Sequence, residues 1–215
     1  MMMKKKNNQA EKKERLEHPQ AIEIEKYIKK RLERKRYKHV LSVREMALEL
    51  AKRYDADRQR VNLAALLHDC AKWMSPPELY EAATKYGVQL DEVERENASL
   101  LHAIIGAELA DALFSVSDPE ILSAIRAHTT GNGSMTLIDQ ILYVADFAEP
   151  KRTHKGARLV RKCAYQELNR AVFEVTRYKI EEPLTKGTPI HPKTIDAYNS
   201  ALRAINKSAN QPTQA

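Results

Sequence analysis

The stretch Leu63–Met74, LAALLHDCAKWM, poses the question on which the fold turns: an apolar run of helical character admits His68 and Asp69 side by side, with Lys72 close behind. Burying such a trio without partners costs several kcal/mol, roughly, so something must compensate it. Read as part of a helix from about Arg58 to Trp73, His68 and Asp69 differ in direction by about 100°, so an imidazole nitrogen and a carboxylate oxygen can reach one cation from adjacent positions. Lys72 stands four residues beyond His68 and three beyond Asp69. Its ammonium is therefore on the same face, where it can meet an anion without ligating the metal.

Outward from this run the chain repeats apolar residues at three and four, with few segments of period two and only 6 glycines and 9 prolines. An all-α, compact multi-helix bundle is predicted. A helix spans about Ala21–Arg34, and the next carries Val40, Val43, Ala47, Leu50, Ala51 and Tyr54 on one stripe with His39 at its entrance. After the opening stretch, SPPE stops and restarts the chain, and a helix follows near Glu78–Tyr86. LLHAIIGAELADALF is the next helix, and SDPEILSAIRAH opens with Asp118 as N-cap and Pro119 as first residue, ending near His128. TTGNGS precedes a capping-box signature, Thr136 with Asp139, that begins LIDQILYVADFAE. A long helix over about Lys155–Lys179, a loop PLTKGTPIHP and a last helix from Thr194 complete a domain of residues 20–206. Residues 1–19 read as a flexible basic tail and 207–215 as a disordered one.

Composition narrows the function. No run approaches the roughly 20 apolar residues of a membrane span, and no apolar segment follows the first lysines, which predicts a cytoplasmic protein without membrane partners. Cys70 and Cys163 lack any paired spacing and read as plain thiols. The formal charge of +7 asks for an anionic partner, although residues 1–20 hold six Lys/Arg against three Glu. Without interleaved aromatics or a helix-turn-helix pattern, a nucleotide fits better than nucleic acid.

Four further residues match the opening pair in kind. His39, His102, His128 and Asp146 each sit at or within an apolar helical stretch. Any one of them alone reads more readily as a satisfied core polar group, and Asp69 could simply pair with Lys72. Intrusions from five predicted helices weigh the other way. Four imidazoles and two carboxylates form a mixed nitrogen and oxygen set suited to Fe, Mn, Zn or Co, and sufficient for two ions bridged by Asp69. His18 and His154 read as surface residues, and His191 in TPIHP as loop packing ahead of ligand contact.

RYKHVLSV, LLHDCAK, LLHAIIGA, AIRAHTTG and YVADFAEPKR, in this order between about Arg36 and Asn199, resemble the YqeK branch of the HD-domain phosphohydrolases. The resemblance implies an iron-bearing hydrolase that cleaves diadenosine tetraphosphate symmetrically to two ADP. It implies iron ligands at His39, His68, Asp69 and Asp146, with His102 and His128 facing phosphates or a second ion. It also implies nucleotide contacts at Arg36, Lys72, Thr129, Arg152 and the loop Gly187–Ile190, including Thr188 and Ile190. One position departs from the pattern: Gln140 follows Asp139 where a lysine is expected.

The reading is thus a metal-dependent hydrolase that uses activated water, with Asp69, Lys72, His102 and His128 as its catalytic residues. A polyphosphate resists attack because its charge repels the nucleophile and grows in the transition state. A metal meets both needs by lowering the pKa of water and by taking phosphoryl charge. The HTTGNGS turn serves equally as a phosphate cradle or a plain reversal on residue grounds, and the resemblance favours the cradle. Other readings are a hydrolase of another nucleotide or phosphoanhydride, a non-catalytic nucleotide-binding module, and iron-dependent oxygenation; a homodimer is compatible with each. The intact ligand set argues against the second, and the surrounding cations against the third.

Overall fold

Every residue from Val61 to Leu67 is buried, as expected of a helix enclosed on all sides. The computed structural model describes residues 19–209; the N-terminal tail with His18, and residues 210–215, lie outside the described residues. These residues form eleven helices and no strand: α1 (Pro19–Arg31), α2 (Arg34–Arg53), α3 (Arg58–Leu67), α4 (Pro76–Lys85), α5 (Glu92–Glu96), α6 (Ala98–Phe114), α7 (Pro119–Ala127), α8 (Leu137–Ala148), α9 (Lys155–Ala164), α10 (Leu168–Lys186) and α11 (Pro192–Ala209). The central α3 packs against α1, α2, α6, α7 and α8. No helix is long and apolar enough to cross a membrane among the described residues.

The caps follow the residues expected to make them. Asp57 accepts from the amides of Gln59 and Arg60 at the start of α3, and Asp118 from those of Glu120 and Ile121 at the start of α7. At α8 the Thr136 hydroxyl accepts from the Asp139 amide (3.2 Å) while the Asp139 carboxylate accepts from the Thr136 amide (3.0 Å). The α2 stripe buries Val40, Val43, Ala47, Leu50 and Ala51, and Tyr54 donates its hydroxyl to Ala164 O at 2.7 Å.

Several boundaries differ from the sequence reading. The helix α3 ends at Leu67, not Trp73; residues 68–74 form tight turns in which Cys70, Lys72 and Met74 donate to the carbonyls of Leu67, Asp69 and Ala71. His39 lies in the second turn of α2 instead of at its entrance. The short α5 was not expected. The predicted helix over Lys155–Lys179 is broken between Ala164 and Leu168, where the amides of Gln166 and Glu167 both reach Cys163 O at 2.8 Å. That reversal lays Tyr178 of α10 on Gly156 of α9, where a Cβ would meet the ring at 2.9 Å. The helix α10 continues through Pro183 to Lys186 and closes on Gly187 in the left-handed region (φ 65°), so the expected loop is shorter; α11 starts at Pro192 and runs past 206 to Ala209.

Candidate functional site

His39, His68, Asp69, His102, His128 and Asp146 converge although they come from five elements: α2, the turn after α3, α6, the end of α7 and α8. Two groups form, His39–His68–Asp146 and Asp69–His102–His128, each with ligand atoms within 4.8 Å of one another. Asp69 joins them. Its Oδ2 is 3.4 Å from His68 Nε2 and 3.9 Å from His39 Nε2, and its Oδ1 is 3.4 Å from His102 Nε2 and 4.0 Å from His128 Nε2. Asp146 Oδ1 lies 3.0 Å from His39 Nε2 and 3.9 Å from His68 Nε2.

The orientation of the rings tests whether a cation fits. Nδ1 of His68, His102 and His128 meets the carbonyls of Ala65 (2.8 Å), Ser99 (2.5 Å) and Ile125 (2.7 Å), and Nδ1 of His39 meets Glu149 Oε1 (3.3 Å). An oxygen acceptor at each Nδ1 places the proton there and leaves the Nε2 lone pair directed inward, the arrangement that metal-ligating histidines use. His68 Nε2 is buried without a hydrogen-bond partner, and His102 Nε2 faces His128 Nε2 at 3.0 Å. Two lone pairs so close repel unless a cation lies between or beside them. The residues therefore fit metal ions, and their chemistry suits transition metals better than calcium.

Electrostatics agree. Burial, with Lys72 adding, pushes His102 down to about 4, and burial with the neighbouring His102 pushes His128 well below the usual imidazole value. Both rings stay neutral. Burial opposes ionisation of Asp69 and Asp146, yet His68 holds Asp69, and His39, His68 and the Arg152 guanidinium hold Asp146, well below the usual carboxylate range. Burial pushes His68 down too, but the carboxylates of Asp69 and Asp146 reverse the sign and raise it.

The cluster floors a cleft of about 470 Å³ whose wall includes Arg36, Lys72, Thr129, Arg152, Lys179 and Thr188. Arg36 Nη1 is 3.0 Å from Asp69 Oδ2, Arg152 Nη2 is 3.3 Å from Asp146 Oδ1, and Lys72 Nζ is 3.1 Å from the His102 ring. Arg161 fixes the Arg152 segment by donating to the carbonyls of Ala148, Glu149 and Arg152 at 2.8–2.9 Å.

Other expected site residues lie elsewhere. Ile190 is not among the residues lining this cleft, although its neighbours Thr188, Pro189 and His191 are. The glycines of HTTGNGS do not cradle the cleft. Gly131 (φ 71°) packs on α11, where a Cβ would come within 2.9 Å of Ala197 Cβ, its amide is spent on Ala127 O, and Gly133 faces Asp196. Gln140, the departure from the family pattern, donates to Met135 O at 3.3 Å and does not line this cleft. His191 touches the cleft wall but is held by Asp91 and Glu94, 3.0 and 3.2 Å from its Nε2, and exposed His154 caps α9.

Two contributors were missed. Glu149 anchors His39, and Lys179 donates to the carbonyls of His128 (2.9 Å) and Thr129 (2.6 Å) while lying 4.1 Å from the centre of the Tyr143 ring. Burial pushes Lys179 down to about 8. A signal for it existed: Leu168, Val172, Val175 and position 179 share one helical stripe, and a lysine interrupts it.

Residues 36–150 match the HD domain family. The chain is 36% identical over 172 residues to the symmetrical bis(5'-nucleosyl)-tetraphosphatase of Bacillus subtilis, covering 80% of this chain and 92% of that one. It is also 36% identical to the protein of the same name from Halalkalibacterium halodurans, covering 81% and 93%. A crystal structure of a Clostridium acetobutylicum protein, described as a predicted HD superfamily hydrolase involved in NAD metabolism, superimposes with a TM-score of 0.82 at 36% identity, covering 85% of this chain and 96% of that one.

Proposed function

The chain belongs to the HD-domain family, and on that premise we propose that it hydrolyses dinucleoside tetraphosphates symmetrically, diadenosine tetraphosphate and water giving two ADP. The observation that carries this is Asp69, whose two oxygens face two imidazole groups at the floor of a cleft walled by cations. Iron is the proposed metal, with Mn, Co or Zn compatible with the donors. His39, His68, Asp69 and Asp146 would hold one ion, and His102 and His128 with the other Asp69 oxygen a second. When bound, such ions would lower the pKa of water and offset phosphoryl charge.

The remaining work falls to the chain. Arg36, Lys72, Arg152 and Lys179 supply fixed positive charge where a tetraphosphate would lie, and arginine forks bind phosphate in pairs of hydrogen bonds. Thr129 Oγ1, 3.1 Å from His128 Nε2 and 3.4 Å from His102 Nε2, offers a hydroxyl beside the reacting phosphorus, and Thr188 a second along the wall. The same charges disfavour oxygenation, which needs no phosphate clamp. The cytoplasm is the proposed compartment, in keeping with the free thiols Cys70 and Cys163.

The test is direct. The purified protein is assayed for bound metals, incubated with diadenosine tetraphosphate beside an Asp69→Ala control, and the products separated by chromatography. ADP alone supports the proposal. ATP with AMP rejects symmetry, and tight nucleotide binding without turnover points to a binding module.

A further inference from the structure

A second cleft of about 460 Å³, matching the first in size, adjoins it across a wall made of Leu100, Thr129 and Thr130. Its lining is different in kind. Leu100, Ala103, Ile104, Leu122 and Ala127 give an apolar floor, and Gln89, Arg126 and Asn132 add amide and guanidinium groups. Its charges are largely matched: Arg126 pairs with Glu108 at 2.8 Å, and Glu94 with Lys193 and His191 at 3.2 Å. The neighbouring cleft, by contrast, holds Arg36, Lys72, Arg152 and Lys179. One space suits phosphate; the other suits a flat, neutral, partly polar group.

Thr129 belongs to both clefts, and its hydroxyl is within 3.4 Å of both His102 Nε2 and His128 Nε2. A chain of phosphates lying over the Asp69 cluster would reach the second cleft by crossing the rim at Thr129, beside the reacting centre. Symmetric cleavage adds a requirement: the bond that breaks is the middle of the molecule, so arms of equal length must leave the metal cluster on two sides, each ending in a nucleoside. The cationic cleft, running to Thr188, accommodates one arm. We infer that the cleft between α6 and α7 is the binding site for the second nucleoside, with Gln89, Arg126 and Asn132 at the edge of its base. This rests on the proposed reaction.

The experiment compares two substrates sharing one phosphate chain, diadenosine tetraphosphate and adenosine 5'-tetraphosphate, on the full-length metal-loaded protein. Ile104→Trp fills the cleft from its α6 wall, and Gln89→Trp crowds it from an exposed position, outside the buried core; melting curves and metal content check both. The expected result is a KM for the dinucleotide that rises about tenfold more than the KM for the mononucleotide, because a contact with only one of the substrates is lost. A ratio of the two KM values within about twofold of wild type in every folded variant overturns the inference, as does an equal rise for both substrates. Wild-type protein that leaves the dinucleotide intact defeats the proposed reaction itself, and the inference with it.

Discussion

Asp69 turns one oxygen to His68 and the other to His102, each at 3.4 Å from the facing Nε2. One carboxylate thus faces two imidazole groups, and the six proposed ligands are not equivalent. Removing His39 or His102 should cost one ion, whereas Asp69→Ala should cost both. Metal analysis of the three purified alanine variants measures this directly, and loss of only one ion from Asp69→Ala would refute the bridge. Hydrolysis by Asp69→Ala is expected to fall by roughly 10³-fold or more, the scale on which removing one member of an interdependent catalytic set acts.

Glu149 holds His39 from behind: its Oε1 is 3.3 Å from Nδ1, and its Oε2 accepts from the Lys151 amide at 2.7 Å. Such a partner fixes the tautomer and aims the ring. Glu149→Ala should lower metal affinity by about 10–100-fold with little change in the fold, and Glu149→Gln should recover part of it through its amide oxygen. Competition with a chelator of known affinity gives the number.

The convergence of the six proposed ligands was legible in the sequence because each is a polar residue inside an apolar helical pattern, which is costly to bury and so informative. Glu149 was not, since it stands at the end of α8 where a carboxylate is unremarkable, and its partner His39 is 110 positions away. The helix boundaries divide on the same ground. Starts set by local chemistry, such as Asp118 and Thr136, were readable. The break at 165–167 contains neither Gly nor Pro, and it exists because α9 and α10 pack against each other, a tertiary cause with no local mark. His68 and Asp69 were assigned to a regular helix for the converse reason: the apolar spacing continues through Ala71 while the hydrogen bonding has already tightened into turns.

Gly131 and Gly187 both have positive φ, 71° and 65°, but their surroundings differ. At Gly187 nothing lies within 4 Å of an added Cβ, so Gly187→Ala should cost only the left-handed backbone strain, about 1–2 kcal/mol. At Gly131 the same Cβ would come within 2.9 Å of Ala197 Cβ and 3.4 Å of the Tyr143 ring, adding a clash with α11. Gly131→Ala should therefore be the more damaging by about 1–3 kcal/mol, the usual range for overpacking. Chemical denaturation of both variants decides it; equal losses would mean that α11 yields without cost.

Lys179 works on two levels, and one substitution separates them. Its ammonium ties the last carbonyls of the α7 segment, at His128 and Thr129, to α10, and the same charge faces the cleft. Lys179→Met keeps the packing on Tyr143 but strands two carbonyl oxygens, which should lower stability by about 1–3 kcal/mol. It also removes a cation from the phosphate path and loosens His128, so kcat/KM should fall by about 10–100-fold, beyond what partial unfolding explains at a temperature where the variant is fully folded. Lys179→Arg, which retains the charge and donors in a different geometry, should recover more stability than activity. If Lys179→Met melts earlier yet hydrolyses diadenosine tetraphosphate at the wild-type rate, Lys179 is a strut between α7 and α10 and has no part in holding phosphate.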